Sequence, residues 1–577
     1  MTRIATTRPM NSPAPQPADR PATASRGAKD RRETVESVVV AIILALLVRG
    51  FLAEAFVIPT GSMSPTLNGR LKDVHCPQCG FLFQVNAADE ANANVRIKTA
   101  VCGNCRFQSR VDDEPTFKGD RILVMKFPYS LPWLPGSGGP RRWDVVVFHY
   151  PEKPDEQNYI KRLVGRPDED LRILAGDILT RKHGDAQAPF RLERKPLNHL
   201  KAMLVPVYDD SDRAEALADN PEWSRWIPRT PAAWAEGPVG TYTAATAAPG
   251  GEWSSLRYRN RIPDPAQWEA LIAKAPLASP PRTTLITDFN SYNTGSTAEG
   301  RDGDDGLEPH WVGDLAVEFA LEVTSDSGRI RLELVRGGVP YRCEVDLATG
   351  LGTLSADGKP LGTAVATGIK GAGKHQIAFA NVDGRLTLWV DGATPFGEGL
   401  VHDDGTAPRP VPKAGDLDPV GIATRGAGAR VSGLVLKRDI YYTLAPSVAD
   451  YGSLGEALGP DFGGPRKSVA VSELLSAPSR FAALGKFAPR DFSIAPGHYM
   501  MMGDNSPRSS DGRAWGNADR AWANAPRATH EVPESLLIGK AFLVYWPHGK
   551  PIWPNLRINQ DFRFPFLPNF ARMKWIR

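Results

Sequence analysis

One apolar run dominates this 577-residue chain. The stretch from Val35 to Ile58, VESVVVAIILALLVRGFLAEAFVI, would reach about 36 Å as a helix, enough for a bilayer core of about 30 Å. No later segment is apolar for as long, so the sequence predicts one transmembrane helix over 35–58. Its charged positions are Glu36, Arg49 and Glu54; the uncharged part from Ser37 to Val48 is short, so Arg49 must snorkel or face a partner. Arg20, Arg26, Lys29, Arg31 and Arg32 precede it, which places the N-terminus in the cytoplasm and the rest outside. A single pass through the inner membrane is therefore expected. The AEA at Ala53–Ala55 also fits a cleaved leader, but the long basic region before it favours an anchor.

The remainder must bury its own cores, and with 54 glycines and 51 prolines it should do so mainly with strands and turns. The 69 basic and 65 acidic residues leave a net charge of only +4, too weak a field for nucleic-acid binding. Residues 1–34 read as a disordered cytoplasmic tail. The β-rich catalytic core reads as 56–71 and 114–185, resuming at 485–560, so its halves must meet. Between them lie a short cysteine-bearing insert at 72–113 and a proline-rich, Trp-containing irregular linker at 190–282. A run of strands with Asp-Gly turns follows at 283–440, the pattern of a β-sandwich. Residues 561–577 read as a tail. The fold class expected is mainly β, with a catalytic core split by a jelly-roll-like insert.

Four of the five cysteines fall as Cys76-Pro-Gln-Cys79 and Cys102-Gly-Asn-Cys105. That spacing suits a structural zinc ribbon, because four thiolates leave no coordination position open for water. Outside the cytoplasm the same thiols could instead form disulfides, and both readings stay open. Cys343 stands alone in a strand and reads as a buried small hydrophobe.

Directly after the apolar run comes IPTGSMSPTL, Ile58–Leu67, which presents Ser62 between Gly61 and Met63. A serine needs a base to become a nucleophile. His149 and His548 sit in unpromising contexts, whereas Lys161 lies in the apolar strand pattern NYIKRLVG. A lysine buried there loses solvation of its charged form, so its amine can act as a base near neutral pH.

The segments IPTGSMSPTL, GDRILVMKF, WDVVVFHYPEKPDEQNYIKRLVGRP and MMGDNSPRSSDGRAWG occur in the order of the signature boxes of bacterial type I signal peptidase, or leader peptidase. The resemblance covers under a third of the chain. It implies a Ser/Lys-dyad serine endopeptidase that needs no cofactor and acts on signal-peptide-bearing secretory precursors at the lipid bilayer. By resemblance Ser62 is the nucleophile and Lys161 the general base. The Ser62 amide and Thr60 hydroxyl hold the oxyanion. Ser509 orients the lysine, and Asp511, Arg513 and Arg162 give charged support. Phe56, Ile58, Met63, Leu67, Tyr159 and Ile160 line shallow pockets for small residues at positions −1 and −3 of the substrate. Departures from the pattern are Pro167-Asp168-Glu169 for Pro-Gly-Asp, Ser506 where arginine is commoner, and Gly512 where serine is usual.

The insert at 283–440 resembles laminin G-like or concanavalin-like sandwiches and inherits no role; a carbohydrate or protein ligand, or a spacer function, is open to it. Two rival readings are a degenerate core presenting a lectin-like sandwich and a Ser-Lys autoprotease of the repressor type. The joint presence of Ser62, Lys161 and Ser509 disfavours the first, and the anchor disfavours the second.

Overall fold

The computed structural model describes residues 26–577 apart from 92–93, 127–128, 130–137, 156, 230–233, 239, 247–250, 298–308, 447–449, 451–466, 485–488, 516–529, 552–556, 560–561, 564–565 and 568. The chain forms two compact units, Met1–Glu54 and Ala55–Arg577. Most of the tail expected at 1–34 lies outside the described residues, but from Arg26 onward it is helical.

In the first unit a helix runs from Arg26 to Leu47, a π-helical turn follows at Val48–Leu52, and a strand begins at Ala53. The helix expected over 35–58 is thus shorter at its C-terminal end. Its uncharged part, Ser37–Leu47, reaches about 16 Å at about 1.5 Å per residue, roughly half a bilayer core. Among the described residues no helix is long and apolar enough to cross a membrane. Val38, Val39, Val40, Ile42, Ile43, Leu44, Leu46 and Leu47 are all exposed.

The second unit is mainly β. Its first sheet has eight strands, seven of them in the order 53–57, 121–125, 537–546, 145–149, 158–165, 498–502 and 531–533. Segments from both ends of the chain therefore alternate in one sheet. Strand Leu537–Trp546 lies between Arg121–Met125 and Val145–His149, and Asn158–Gly165 pairs with His498–Met502 in a register that sets Arg162 opposite Met502. Lys574–Trp575 adds a further strand against Leu543 and Val544, so the expected C-terminal tail is in part structural. A four-stranded sheet, including Glu169–Leu174 and Arg490–Ser493, packs beside the first around Val164, Leu171, Ile173, Phe492 and Met500. Asp168 makes the turn between 158–165 and 169–174 with φ 61°, a left-handed conformation that aspartate tolerates better than most residues.

Two further eight-stranded antiparallel sheets share one apolar core that runs from Val207 to Leu436 in sequence. Their hairpins turn at Asp357-Gly358, Asp383-Gly384 and Asp391-Gly392, with both residues of each pair at positive φ, which matches the right-handed strand twist. The stretch 190–282 differs from the irregular linker expected. It supplies strands Val205–Asp209, Trp226–Pro228, Trp234–Glu236, Thr241–Ala244 and Ser254–Tyr258 to these sheets, and a capped helix at Pro265–Ile272. Those strands have three to five residues, too few to show a period, and their tryptophans enter the shared core.

Candidate active site and four-cysteine module

Ser62 sits in the loop from Ile58 to Arg70, which Gly119-Asp120 clamps from outside. The Asp120 carbonyl accepts from Ile58 N–H at 2.9 Å, Asp120 N–H donates to Asn68 O at 2.9 Å, and the Asp120 carboxylate accepts from Asn68 N–H at 2.9 Å. Gly119 has no room for a side chain, since a Cβ there would lie 2.0 Å from Ile58 O. Gly69 is equally confined, its Cβ position falling 2.3 Å from the Thr60 carbonyl carbon. Within the loop Ser64 N–H donates to Gly61 O and Leu67 N–H to Met63 O, forming a helix-like turn. Met63 and Leu67, four apart, share its buried face.

Lys161 comes from strand Asn158–Gly165. Its Nζ donates to Ser62 Oγ at 2.7 Å and to Ile160 O at 3.2 Å. Lys161 is 4% exposed and Ser62 8%. Burial pulls the lysine down from 10.5 to about 8; the Asp511 carboxylate opposes that fall and Arg513 adds to it. The amine also lies 5.2 Å from the Tyr159 ring centre.

The charged residues form two separate pairs rather than one group. Arg513 grips Asp511 through Nε and Nη2 at 2.8 and 2.7 Å, and both are fully buried. Burial raises the Asp511 carboxyl, but Arg513 and the Gly503 N–H outweigh it and hold the acid below its ordinary range. Arg162 instead pairs with Asp504, a residue the sequence reading left without a role, at 2.7 and 2.6 Å. Asp504 also accepts from Thr66 Oγ1, one turn beyond the serine. Ser506, at the position of the commoner arginine, accepts from Arg513 Nη1 at 2.7 Å and Thr443 N–H at 2.8 Å. Gly512 is required because a Cβ would lie 2.6 Å from His530 O, so the usual serine would not fit.

Ser509 is fully buried beside Gly503, whose Cβ position lies 2.2 Å from Ser509 Oγ and 2.3 Å from Ser62 O. Its hydroxyl lies near enough to Asp511 to favour the carboxylate, yet it is aligned for a hydrogen bond with no described group, Lys161 included. The contact expected between Ser509 and Lys161 is thus not made here.

Of the six expected pocket residues, Ile58, Met63, Leu67 and Ile160 are buried in one cluster with Ile122, Val124, Val145 and Val147, and Phe56 packs against it half-buried. Met63 and Leu67 are 0% exposed, so they form supporting core rather than a surface a substrate could touch. Tyr159 belongs elsewhere, stacked on Tyr150 at 4.5 Å and leaning on Trp515. Thr60 is exposed at the rim of the loop.

The cysteines meet as two matching turns. Cys76 N–H donates to Phe81 O and Cys102 N–H to Phe107 O, and each turn ends left-handed, at Gly80 and at Arg106. Cys76 Sγ lies 3.5 Å from Cys105 Sγ, and Cys79 Sγ 3.7 Å from Cys102 Sγ. All four sulfurs lie within 4.8 Å of one another, and all four cysteines are free. A tetrahedron of thiolates about 2.3 Å from zinc has sulfurs about 3.8 Å apart, whereas a disulfide needs about 2.05 Å. The donor set therefore fits zinc. A second acidic cluster, Asp177, Asp314 and Asp383, is already matched by Arg409, Arg336 and Lys195 at 2.9 Å each.

The family model for signal peptidase, peptidase S26, matches residues 31–74, 92–203 and 470–546. These ranges hold the seven strands of the first sheet named above, together with Ser62, Lys161, Ser509, Asp511 and Arg513, but amount to less than half of the chain. Signal peptidase I of Pseudomonas aeruginosa is 32% identical over 137 residues, 23% of this chain and 31% of that protein. Signal peptidase I of Leptolyngbya laminosa is 27% identical over 177 residues, 29% of this chain and 60% of that protein. The chain thus spans less than two thirds of the length of either relative. Among solved structures, a carbohydrate binding module from Bacillus subtilis aligns with 37% of this chain and 96% of its own at 11% identity; its TM-score of 0.21 carries no inference.

Proposed function

We propose that the protein is a serine endopeptidase that removes signal peptides from secretory precursors. The observation that carries this reading is the 2.7 Å contact between the buried Lys161 amine and Ser62 Oγ, in a region matched by the signal peptidase model.

In its neutral form the Lys161 amine takes the hydroxyl proton as Ser62 Oγ attacks the substrate carbonyl. The oxyanion is received by the Ser62 N–H and the Thr60 hydroxyl, and losing one such donor costs about 100- to 1000-fold in rate. The protonated amine then gives its proton to the leaving nitrogen, which frees the mature chain and leaves the signal peptide as an ester on Ser62. Lys161 next deprotonates a water that attacks the ester, and the proton returns to Oγ as the acid leaves. Arg162–Asp504 ties the lysine's strand to the segment after His498–Met502, and Asp511–Arg513 holds that segment at Gly503 and Ser506. Ser509 is assigned the role of orienting the lysine amine on the strength of its motif, within the residues matched by the family model.

The Met1–Glu54 unit attaches the protein to the inner membrane with its N-terminus cytoplasmic; the exposed apolar side chains of its helix and the basic residues before them support attachment, while the uncharged part of that helix alone reaches only about half a bilayer core. Cys76, Cys79, Cys102 and Cys105 would hold a structural zinc, which supplies cross-linking of the module and no chemistry at the serine.

The test is cleavage of a precursor bearing an Ala-X-Ala site by the detergent-solubilised protein, beside Ser62→Ala and Lys161→Ala. Cutting after the second alanine, lost in both variants, supports the dyad. Cleavage that survives Lys161→Ala refutes it.

A further inference from the structure

The short turn Ser291–Asn293 lies outside the residues matched by the family model, yet it reaches the back of the serine loop. Asn290 caps it by accepting from Tyr292 N–H at 3.1 Å. Tyr292 is buried against Gly61: a Cβ on Gly61 would lie 2.2 Å from the tyrosine ring, and the Tyr292 hydroxyl donates to Arg70 O at the far end of the same loop. Asn293 forms a reciprocal amide pair with Asn505, Nδ2 of each donating to Oδ1 of the other at 2.8 Å.

The amide of Asn505 has two N–H donors, and both are used. One goes to Asn293 Oδ1, and the other to Gly61 O at 3.0 Å. Its backbone N–H donates to Ser62 O at 3.1 Å. An asparagine amide has nearly the same shape when turned by 180°, so only its hydrogen-bond partners decide which end faces Gly61. If it turned, oxygen would face the Gly61 carbonyl oxygen. The Gly61 carbonyl accepts only from the Nδ2 end, and Asn293 completes the amide in that orientation by offering an acceptor to Nδ2 and a donor to Oδ1.

We infer that Asn293 is a positioning residue for Ser62: it holds the side chain of Asn505 in place, and Asn505 in turn holds the carbonyls of Gly61, through Nδ2, and Ser62, through its backbone N–H. This rests on the function proposed above only for its effect on rate; the effect on the loop stands without it. The turn is itself tied to the cysteine module, where Thr294 Oγ1 accepts from Val101 N–H at 2.9 Å and Ser296 pairs with Thr99. The Ser62 loop is thus braced by a segment more than 200 residues away in sequence.

The test compares Asn293→Ala, Asn293→Leu and Asn293→Asp in the full-length protein, reading hydrogen exchange over residues 58–68 and cleavage kinetics side by side. Alanine and leucine remove the acceptor, so amides in this loop, including Ser64 and Leu67, should exchange about tenfold faster. Aspartate keeps an acceptor for Nδ2 but sets its second oxygen against Asn505 Oδ1 in place of the lost donor, so it should lose protection as well. In cleavage, alanine should lower kcat about tenfold with KM unchanged, and Asn293→Ala should cost nothing further in an Asn505→Ala background. Unchanged exchange over 58–68 in the alanine and leucine variants, or full protection in the aspartate variant, overturns the inference. Additive effects of the two alanines overturn it as well. A wild type that cuts no precursor refutes the proposed function, and the exchange data then still decide the role of Asn293.

Discussion

Replacing Lys161 by methionine should abolish cleavage and at the same time stabilise the protein, by an amount that depends on pH. The lysine is 4% exposed and its folded-state value falls from 10.5 to about 8 because burial disfavours the ammonium. Below about pH 8 both folded and unfolded chains hold the proton, so the full cost of burying charge is present. Between about 8 and 10.5 the unfolded chain binds more protons, so stability of the wild type rises with pH and the cost disappears. At about 1.36 kcal/mol per pH unit the cost at pH 7 is about 3 kcal/mol. Methionine has a similar reach and no charge, so this cost is relieved, against about 1 kcal/mol for the lost hydrogen bonds to Ser62 and Ile160. Their loss changes little with pH. Urea unfolding of wild type and Lys161→Met at pH 7 and at pH 10 separates the two effects. The variant should gain about 2 kcal/mol at pH 7 and lose most of that advantage by pH 10. A difference between the two proteins that stays constant over this range refutes the claim that the lysine is held with a depressed proton affinity.

Other outcomes follow from the same geometry. For the wild type, kcat/KM should rise about 50-fold from pH 6 to pH 8 and level off above 9, as expected for a base titrating near 8; a tenfold rise per unit continuing past pH 9 would contradict it. Asp504→Ala leaves the Arg162 guanidinium buried without its partner and should destabilise by about 3–5 kcal/mol, read as a fall in the urea midpoint. Gly69→Ala sets a methyl 2.3 Å from the Thr60 carbonyl carbon, where backbone must shift, so kcat should fall by at least tenfold while zinc content is unchanged. Purified protein should carry about one zinc per chain by elemental analysis, and Cys102→Ser should remove it; full-length protein with no zinc and no free thiols would instead favour disulfides.

Ser62 and Lys161 stood out locally, one in a glycine- and proline-broken segment and the other in an apolar strand, but their roles as nucleophile and base came from the resemblance of the boxes around them; the structure sets the two side chains 2.7 Å apart. The charged pairs were not legible in the same way. Arg162 and Asp504 meet only because the register sets Arg162 opposite Met502, two residues before the aspartate, and no spacing in the chain encodes that. The strands of 190–282 were hidden for a different reason: segments of three to five residues carry too little alternation to read, and their partners at 420–438 lie far away. Nothing marked Asn293 at all. A polar residue in a short capped turn looks like solvated surface until the loop it touches is known. The Asp-Gly turns of the sandwich, by contrast, were visible at once, since a two-residue turn of that kind states its own backbone geometry.

The interleaving of strand Leu537–Trp546 between two strands from the first third of the chain orders events during synthesis. Ser62 and Lys161 leave the ribosome early, while the strands that complete their sheet and the carboxylates that pair with Arg162 and Arg513 come hundreds of residues later. The sandwich, whose core lies wholly within 207–436, can close in the meantime. A nascent chain therefore carries Ser62 and Lys161 without the frame that brings them together. Activity of the kind proposed would arise only when translation is nearly finished.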